Sequence, residues 1–471
     1  MRTSGPRPFR PALLPALLLT LTAGTACSGG VHGTPGAVGL RDPYFGRLGN
    51  GGYDVTHYAL DLAYDPATHH LTGTAAVTAR ATQDLSAFDL DLKGLTVSGV
   101  TVDGRRAVGS RAGQELRVRP RDELAEGSTF RTTVRYSGEP VTVTDPDGSR
   151  EGWLRTGDGA LGLGEPTGSM AWFPGNHHPS DKATYAITVT VPKGVQAVSN
   201  GELTGEKPSR DGRRTTFSWR VAQPMASYLA TVAVGRFAMT KTRTASGLPV
   251  VTAVTPSEAK ASARVLGRLP EVLGWGTKTF GAYPFSSAGA IVAPDGAAEY
   301  ALETQNRPVF PGAPDLSTLV HEVAHQWYGD SVTPASWRDM WLNEGFATYA
   351  EWLWAEEHGG ATAEETFDRL CARPADDGLW AFPPAVPPTA AQLSDPPVYQ
   401  RGAMVLHRVR RTIGDTAFRA LLRGWPEEHK YGNADTGDFT AYTERKNPGK
   451  AKALARVWDG WLYGHGRPDG A

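Results

Sequence analysis

The spacing of apolar residues changes at about residue 240, and this change divides the chain into two differently folded parts. Between residues 53 and 237, apolar and polar residues alternate in stretches such as HYALDLAYD, ATYAITVTVP and RTTFSWRVA. A period of two, interrupted by turn residues, predicts the strands of a β-sandwich. After residue 240, apolar residues recur every three or four positions, as in helices that bury one face. A strand-like stretch from Ala288 adds a small sheet to the helical part.

We therefore predict a multi-domain α+β chain. A β-sandwich domain over residues 50–240 precedes a mostly helical domain with a small sheet over residues 241–471. The length of 471 residues is that of a chain with two or three domains. The composition, 40% hydrophobic and 21% charged, is typical of globular proteins. A formal net charge of -1 argues against a nucleic-acid partner, which usually requires a basic face.

The N-terminal segment predicts export from the cytoplasm. Three arginines and the apolar run PALLPALLLTLTAG are typical of a secretory signal peptide, here residues 1–26. Small residues lead into Cys27 as at a bacterial lipoprotein cleavage site, although Gly24 replaces the usual leucine. We expect a lipid on Cys27 to hold the protein at the outer face of the cell membrane, with an ordinary signal cleavage nearby as the alternative. Residues 27–49 would then be a flexible tether, and Cys371 would have no disulfide partner.

Two histidines four residues apart lie in the helical stretch DLSTLVHEVAHQWYG. This spacing places His321 and His325 on one helix face, and their apolar neighbours indicate a buried helix whose imidazoles need partners. Glu344, nineteen residues after His325 on the next strong helix, adds a carboxylate. Two imidazoles and one carboxylate leave the fourth zinc position to water, so we predict one catalytic zinc ion per chain. Glu322 is placed to take a proton from that water and pass it to a leaving amine.

The segments HEVAHQWYGD and WLNEGFATYAEW closely resemble the zinc aminopeptidase family that includes aminopeptidase N and the leukotriene hydrolase, which are gluzincin metallopeptidases. The resemblance extends to GGYDVTHYALDLAYD and WFPGNHHPSDKATY and spans roughly residue 53 to the C-terminus. It implies a saddle-shaped β domain followed by a thermolysin-like catalytic domain. Many members carry a further large helical domain, and we expect this chain to be a two-domain version.

The resemblance also implies residues that recognise a substrate. Family members pair the α-ammonium of a peptide with carboxylates, one of them in a segment that corresponds here to DGAAEYALETQ. Spacing to the histidines favours Glu299 in this segment and the side-chain pattern favours Glu303, which we prefer. Glu165, eight positions before a Phe-Pro pair, corresponds to a second such residue. Tyr399 in VYQRG corresponds to a tyrosine that stabilises the oxyanion of the reaction.

The predicted function is zinc-dependent removal of N-terminal residues from peptides with a free N-terminus. One alternative is a zinc endopeptidase on the same core, which would also cleave N-terminally blocked peptides. Another is a non-catalytic surface binding protein that acts through its β domain. The joint presence of Glu322, Tyr399 and three metal ligands argues against that second alternative. Asp330 and Asn343 are candidates for contacts behind the ligands, or for plain caps and surface groups.

Overall fold

The computed structural model describes residue 1, residue 5 and residues 32–469. Cys27 and all but two residues of the predicted signal peptide lie outside these described residues. Within the described part of the chain, no helix is both long enough and apolar enough to cross a membrane.

A sheet of eight strands forms the centre of the first domain. Its strands show the predicted alternation: along Tyr53–Asp65, successive side chains are buried and then exposed or half-buried. One face of the sheet therefore packs into the core while the other is wetter. In spatial order the strands are Glu202–Pro208, Arg214–Ala226, Lys182–Pro192, Tyr53–Asp65, His70–Ala81, Thr129–Gly138, Thr96–Val102 and Arg105–Arg106.

Two smaller sheets complete the β-rich domain, and the five-stranded one adjoins the functional site. The five-stranded sheet consists of Thr142–Thr144, Arg150–Arg155, Ala160–Leu163, Val232–Gly235 and Gln196–Ser199. The four-stranded sheet consists of Thr34–Pro35, Leu85–Asp91, Glu115–Arg119 and Val108–Ala112.

The second domain is mostly helical, as predicted, with a small mixed sheet. That sheet contains Ala238–Arg243, Pro249–Val254, Ala288–Ala293 and Val309–Pro311, and a two-stranded ladder pairs Thr333–Pro334 with Asn433–Ala434. The described helices are α1 (Ala259–Leu266), α2 (Leu269–Phe280), α3 (Leu316–Ala324), α4 (Trp341–Glu357), α5 (Ala363–Cys371), α6 (Gly402–Ile413), α7 (Asp415–Glu428), α8 (Thr436–Lys446) and α9 (Ala451–Val457).

The predicted domain boundary at residue 240 needs a small correction. It falls inside Ala238–Arg243, which pairs with Pro249–Val254 in the sheet of the helical domain. These two strands were not predicted. The boundary therefore lies just before residue 238.

The predicted flexible tether over residues 27–49 is wrong for its described part, residues 32–49. Thr34–Pro35 adds a parallel strand to the edge formed by Leu85–Asp91. The buried carboxylate of Asp42 accepts hydrogen bonds from Ser336 Oγ and from the Trp337 backbone N–H, both at 2.9 Å. This segment therefore packs against both domains, because its polar groups find partners that its glycine-rich sequence does not reveal.

A lysine from the β domain joins the two domains beneath the site. Lys182 Nζ donates to the backbone carbonyls of Asp330, Ser331 and Gly432 at 3.0, 2.9 and 3.1 Å. These three carbonyls belong to turns of the helical domain. The side chain therefore satisfies the carbonyls of Asp330 and Ser331 at the domain junction and shares that of Gly432 with Thr333.

Candidate active site

Helix α3 presents the two predicted histidines. The Asp315 carboxylate accepts the Thr318 N–H at 2.8 Å and caps the start of the helix. Its apolar residues are buried, and the helix packs against α4. The helix ends at Ala324, so His325 is its C-cap rather than an interior residue. The rings of His321 and His325 still lie one turn apart, with centroids separated by 4.8 Å.

The first turn of α4 brings Glu344 to these rings. Glu344 Oε2 lies 3.1 Å from His321 Nε2 and 3.5 Å from His325 Nε2. Burial by itself would raise the pKa of Glu344, but the charge of His325 and hydrogen bonds from both histidines lower that pKa to about 2. The three side chains therefore converge as an ionised carboxylate and two imidazoles, and we call them the metal-ligand cluster.

The outer nitrogens of both histidines are held by other groups. His321 Nδ1 donates to Glu351 Oε1 at 2.7 Å, and His325 Nδ1 donates to the Tyr328 carbonyl at 3.0 Å. With Nδ1 of each ring held by these acceptors, Nε2 is the nitrogen that faces Glu344, and the tautomer protonated only at Nδ1 would offer its Nε2 lone pair to a metal ion. This tautomer, and the nitrogen–nitrogen–oxygen donor set within 4.8 Å, fit a zinc ion.

Glu351 was not predicted from the sequence. It lies seven residues after Glu344, which is two turns along the same face of α4. That spacing was the available signal, because a carboxylate on the ligand face of the next helix can reach an imidazole. Glu351 Oε2 also accepts from Ser317 Oγ at 2.5 Å, which holds it between α3 and α4.

Glu322 is buried beside the metal-ligand cluster. Burial raises its pKa to about 8, against the lowering effect of the histidine charges. Its Oε2 has no hydrogen-bond partner among the described residues. One of its carboxylate oxygens lies within 4.8 Å of His325 and Glu303 ligand atoms. The group is thus positioned to exchange a proton with a small molecule in the site rather than to serve the fold.

Tyr399 lies in a single turn of π-helix, Pro397–Arg401, which precedes α6. Its ring stacks on His321, with centroids 6.2 Å apart and planes inclined by 13°. Burial and the surrounding carboxylates raise its pKa well above 10. The hydroxyl therefore stays protonated and can donate a hydrogen bond.

Glu165 and Glu303 form a buried pair, which we call the carboxylate pair. Oxygens of both residues lie within 4.8 Å of an oxygen of Glu344. Burial, followed by the charge of Glu303, raises the pKa of Glu165 well above its usual value, and burial likewise raises that of Glu303. Glu165 Oε1 and Glu303 Oε1 have no hydrogen-bond partner within the described chain. A cationic group placed between them would relieve this repulsion.

The backbone around the carboxylate pair is fixed by neighbouring side chains. Tyr300 Oη donates to the Glu165 carbonyl at 3.0 Å, and Gln326 Nε2 donates to the Glu303 carbonyl at 3.0 Å. The Glu165–Pro166 peptide bond is cis. Glu165 comes from the β domain and Glu303 from the helical domain, so the pair exists only when the two domains are docked.

Glu299, the alternative to Glu303, lies at the rim. Its side chain is 41% exposed and pairs with Arg150, whose Nε is 2.8 Å from Glu299 Oε1. The structure therefore places Glu303 in the carboxylate pair and leaves Glu299 outside it, in the register that the side-chain pattern favoured.

The two other candidates, Asp330 and Asn343, lie behind the ligands. The Asp330 N–H donates to the His325 carbonyl at 3.0 Å, and its side chain is fully buried. Asn343 Nδ2 faces the Met340 sulfur at 4.0 Å. Asp330 therefore helps to shape the turn after α3, whereas Asn343 lies in the first turn of α4.

A cavity of about 480 Å³ opens over these groups. Its walls come from both domains and include the metal-ligand cluster, the carboxylate pair, Glu322 and Tyr399. The site therefore combines metal ligands, a proton acceptor, a hydroxyl donor and two unpaired carboxylates around one space large enough for an amino-acid residue.

Both domains match known proteins. Residues 314–461 match the peptidase family M1 domain, and residues 54–229 match the peptidase M1 N-terminal domain. The structure is similar to a mutant M1 zinc metallopeptidase from Deinococcus radiodurans bound to a Tyr-Ser-Ala substrate. The TM-score is 0.83 at 30% identity, over 91% of this chain and 98% of that one. A two-domain M1 zinc metallopeptidase bound to L-arginine gives a TM-score of 0.84 at the same identity and coverage.

Curated relatives are longer than this chain. Glutamyl aminopeptidase from Bos taurus is 30% identical over 318 residues, which is 62% of this chain and 33% of the relative. Tricorn protease-interacting factor F2 from Thermoplasma volcanium is 25% identical over 333 residues, or 64% of this chain and 40% of the relative. The chain thus spans about a third of the length of the glutamyl aminopeptidase it matches, and nearly all of the solved two-domain structures.

Proposed function

The chain belongs to peptidase family M1, and on that premise we propose that it is a zinc aminopeptidase that removes single residues from free peptide N-termini. His321, His325 and Glu344 would hold the zinc ion. Zinc in such a site lowers the pKa of bound water towards about 7 and polarises a carbonyl group. The remaining chemistry belongs to side chains of this chain.

Glu322 is the proton-transfer residue in this proposal. Burial raises its pKa to about 8, the positive charge of a bound zinc ion would favour its ionised form, and the ionised carboxylate would accept a proton from the attacking water. The same proton then goes to the nitrogen of the leaving amine as the peptide bond breaks. Tyr399 donates a hydrogen bond to the carbonyl oxygen as negative charge develops there, which its protonated hydroxyl allows.

The observation that carries the proposal is the carboxylate pair next to the metal-ligand cluster. Glu165 and Glu303 are buried, each has a carboxylate oxygen without a hydrogen-bond partner among the described residues, and oxygens of both lie within 4.8 Å of a Glu344 oxygen. The α-ammonium of a peptide is bonded to the same Cα as its first carbonyl group, so a cation held at the carboxylate pair would place that carbonyl next to the metal-ligand cluster. An internal peptide segment lacks that charge and would leave both carboxylates buried without a partner, which disfavours its binding.

The carboxylate pair also separates this proposal from its alternatives. An endopeptidase needs an open groove and has no use for two buried, repelling carboxylates beside its metal. A non-catalytic binding protein has no use for an unpartnered Glu322 beside a metal-ligand cluster.

Hydrolysis of leucyl-p-nitroanilide tests the proposal. We expect zinc-dependent activity that 1,10-phenanthroline removes and added zinc restores. Glu322→Gln should keep one zinc per chain, measured by mass spectrometry of the metal, and should lower kcat by about 100- to 10,000-fold. Wild-type activity in Glu322→Gln, or activity that survives complete zinc removal, would exclude this mechanism.

We also propose that the protein acts outside the cytoplasm, anchored by a lipid on Cys27. This part is supported by the sequence of residues 1–27 alone, with its arginines, apolar run and small residues before the cysteine. Mass spectrometry of the mature N-terminus from the native host tests it, with Cys27→Ser as the control. A lipid-modified Cys27 is expected, and an unmodified N-terminus at another position would contradict the anchor.

A further inference from the structure

One end of the active-site cavity is acidic beyond the carboxylate pair. Asp145 and Asp147, in the turn between the strands Thr142–Thr144 and Arg150–Arg155, line this end together with Glu299. We call these three residues the acidic wall. Among the described residues that line the cavity, none is a lysine or an arginine.

Asp145 has a carboxylate oxygen that the fold does not use. The residue is 8% exposed, and its Oδ2 has no hydrogen-bond partner in the described part of the chain. Its neighbour Glu151 instead accepts from Thr167, at 2.9 Å from the backbone N–H and 2.7 Å from Oγ1. The positive charge of Lys93 lowers the pKa of Asp145, but Lys93 is exposed and is not part of the cavity lining. A buried acceptor without a hydrogen-bond partner lowers the stability of the folded protein unless a ligand supplies a donor.

The other two members of the acidic wall differ in their pairing. Asp147 Oδ2 accepts from Ser394 Oγ at 3.1 Å, which bridges the β domain and the helical domain. Glu299 pairs with Arg150. Burial and the charge of Glu151 raise the pKa of Asp145 to about 10, and a cation in the cavity would favour its ionised form.

The cavity lining also has an apolar part. It includes Phe45, Pro146, Pro166, Trp337, Met340 and Leu393. An aliphatic chain with a cationic end suits this combination, because methylene groups cover apolar surface while the charged head reaches an acceptor.

The position of the cavity follows from the proposed function, on which this inference rests. An N-terminal residue with its ammonium at the carboxylate pair and its carbonyl at the metal-ligand cluster must direct its side chain into the remaining space. The acidic wall lines that space. We propose that this wall selects peptides whose first residue is arginine or lysine, with Asp145 as the main specificity-determining residue.

Isosteric substrates test this selectivity without altering the protein. The kcat/KM values of arginyl- and citrullinyl-p-nitroanilide are compared, since citrulline has the shape of arginine without its charge. We expect arginine to be favoured by about 10- to 100-fold, the range of one or two charge-assisted hydrogen bonds. Glutamyl-p-nitroanilide should be cleaved more slowly than its glutaminyl counterpart.

Asp145→Asn should reduce the ratio of kcat/KM for arginine to kcat/KM for citrulline to within about 3-fold of unity, because the charge-assisted contact is lost. Asp122→Asn, an exposed and distant control, should keep the wild-type ratio. If Asp145→Asn does not fold, the double variant Asp147→Asn, Glu299→Gln replaces it, because both side chains are exposed and the ratio should again fall.

The outcomes separate two failures. Efficient cleavage of leucyl-p-nitroanilide with equal rates for arginine and citrulline would overturn the selectivity and leave the aminopeptidase proposal intact. A high ratio that persists in Asp145→Asn would overturn the assignment to Asp145. Cleavage of none of these substrates would overturn the proposed function and this inference with it.

Discussion

The metal-ligand cluster and the carboxylate pair meet at Glu344, yet the chain builds them in different ways. The first comes from two adjacent helices, α3 and α4, and its spacing is set by helix geometry. The second joins a β-domain loop to a loop of the helical domain, 138 positions apart in the sequence. The metal half is thus a local structure, whereas the substrate half depends on how the domains dock.

This difference separates catalysis from selectivity. A metal, a base and a hydroxyl donor on one domain are sufficient for peptide hydrolysis in general. In the proposed function, the restriction to N-termini depends on the carboxylate pair, to which the other domain contributes Glu165. Substitutions in each half should separate the two roles.

Removal of a metal ligand should abolish the chemistry while substrate recognition remains. Glu344→Gln is expected to lose zinc and to lower kcat/KM by at least about 1,000-fold, since a bound metal contributes several kcal/mol to the reaction. Metal content by mass spectrometry and leucyl-p-nitroanilide hydrolysis measure both effects. Retention of zinc and of activity would place the third ligand elsewhere.

Loss of a charge in the carboxylate pair should weaken recognition of the ammonium. Glu303→Gln is expected to lower kcat/KM for leucyl-p-nitroanilide by about 10- to 100-fold while zinc stays bound, because a charge-assisted contact is lost. Glu299→Gln is the matched control from the same segment and should change kcat/KM less than about 3-fold, as expected for an exposed ion pair. A larger effect at Glu299 would reverse the assignment.

Glu351 should affect the metal more than the substrate. Glu351→Gln removes the acceptor that holds His321 Nδ1, and we expect zinc affinity to fall by about 10- to 100-fold. Competition with a chelator gives the affinity. At saturating zinc, kcat should recover most of its wild-type value, and Glu351→Asp should bind zinc more tightly than Glu351→Gln. Unchanged zinc affinity would show that Glu351 has no positioning role.

The contact that docks the two domains should affect stability. Lys182→Met removes the donor of the Asp330 and Ser331 carbonyls and one of the donors of the Gly432 carbonyl at the domain junction. The free energy of unfolding should fall by about 1–3 kcal/mol, the cost of unsatisfied buried polar groups. Urea unfolding measures it, with the exposed Lys207→Met as a control that should stay within about 0.5 kcal/mol of wild type. Equal stability of both variants would mean that Lys182 does not contribute to docking.

The sequence predicted the local half of the site well and the docked half less completely. His321, His325, Glu322 and Glu344 follow from helix spacing, and the change of period predicted the two fold types. The choice between Glu299 and Glu303 needed the structure, because a loop has no period that tells which side chain turns inward.

Other features depended on contacts between distant segments, which no local pattern shows. Asp145 lies in the turn sequence DPDG, where an aspartate is ordinarily explained by turn formation. Residues 32–49 have the composition of a linker, yet Asp42 reaches the backbone of Trp337. Glu351 could have been found from its spacing to Glu344.

The most direct measurement of the central claim compares one tripeptide with a free N-terminus and the same tripeptide with an acetylated N-terminus. We predict that the zinc-loaded protein removes the first residue of the free peptide and cleaves the acetylated peptide at least about 100-fold more slowly, because acetylation removes the cation that the carboxylate pair binds. Chromatography of the products gives both rates. Equal cleavage of the two peptides would contradict the account and indicate an endopeptidase.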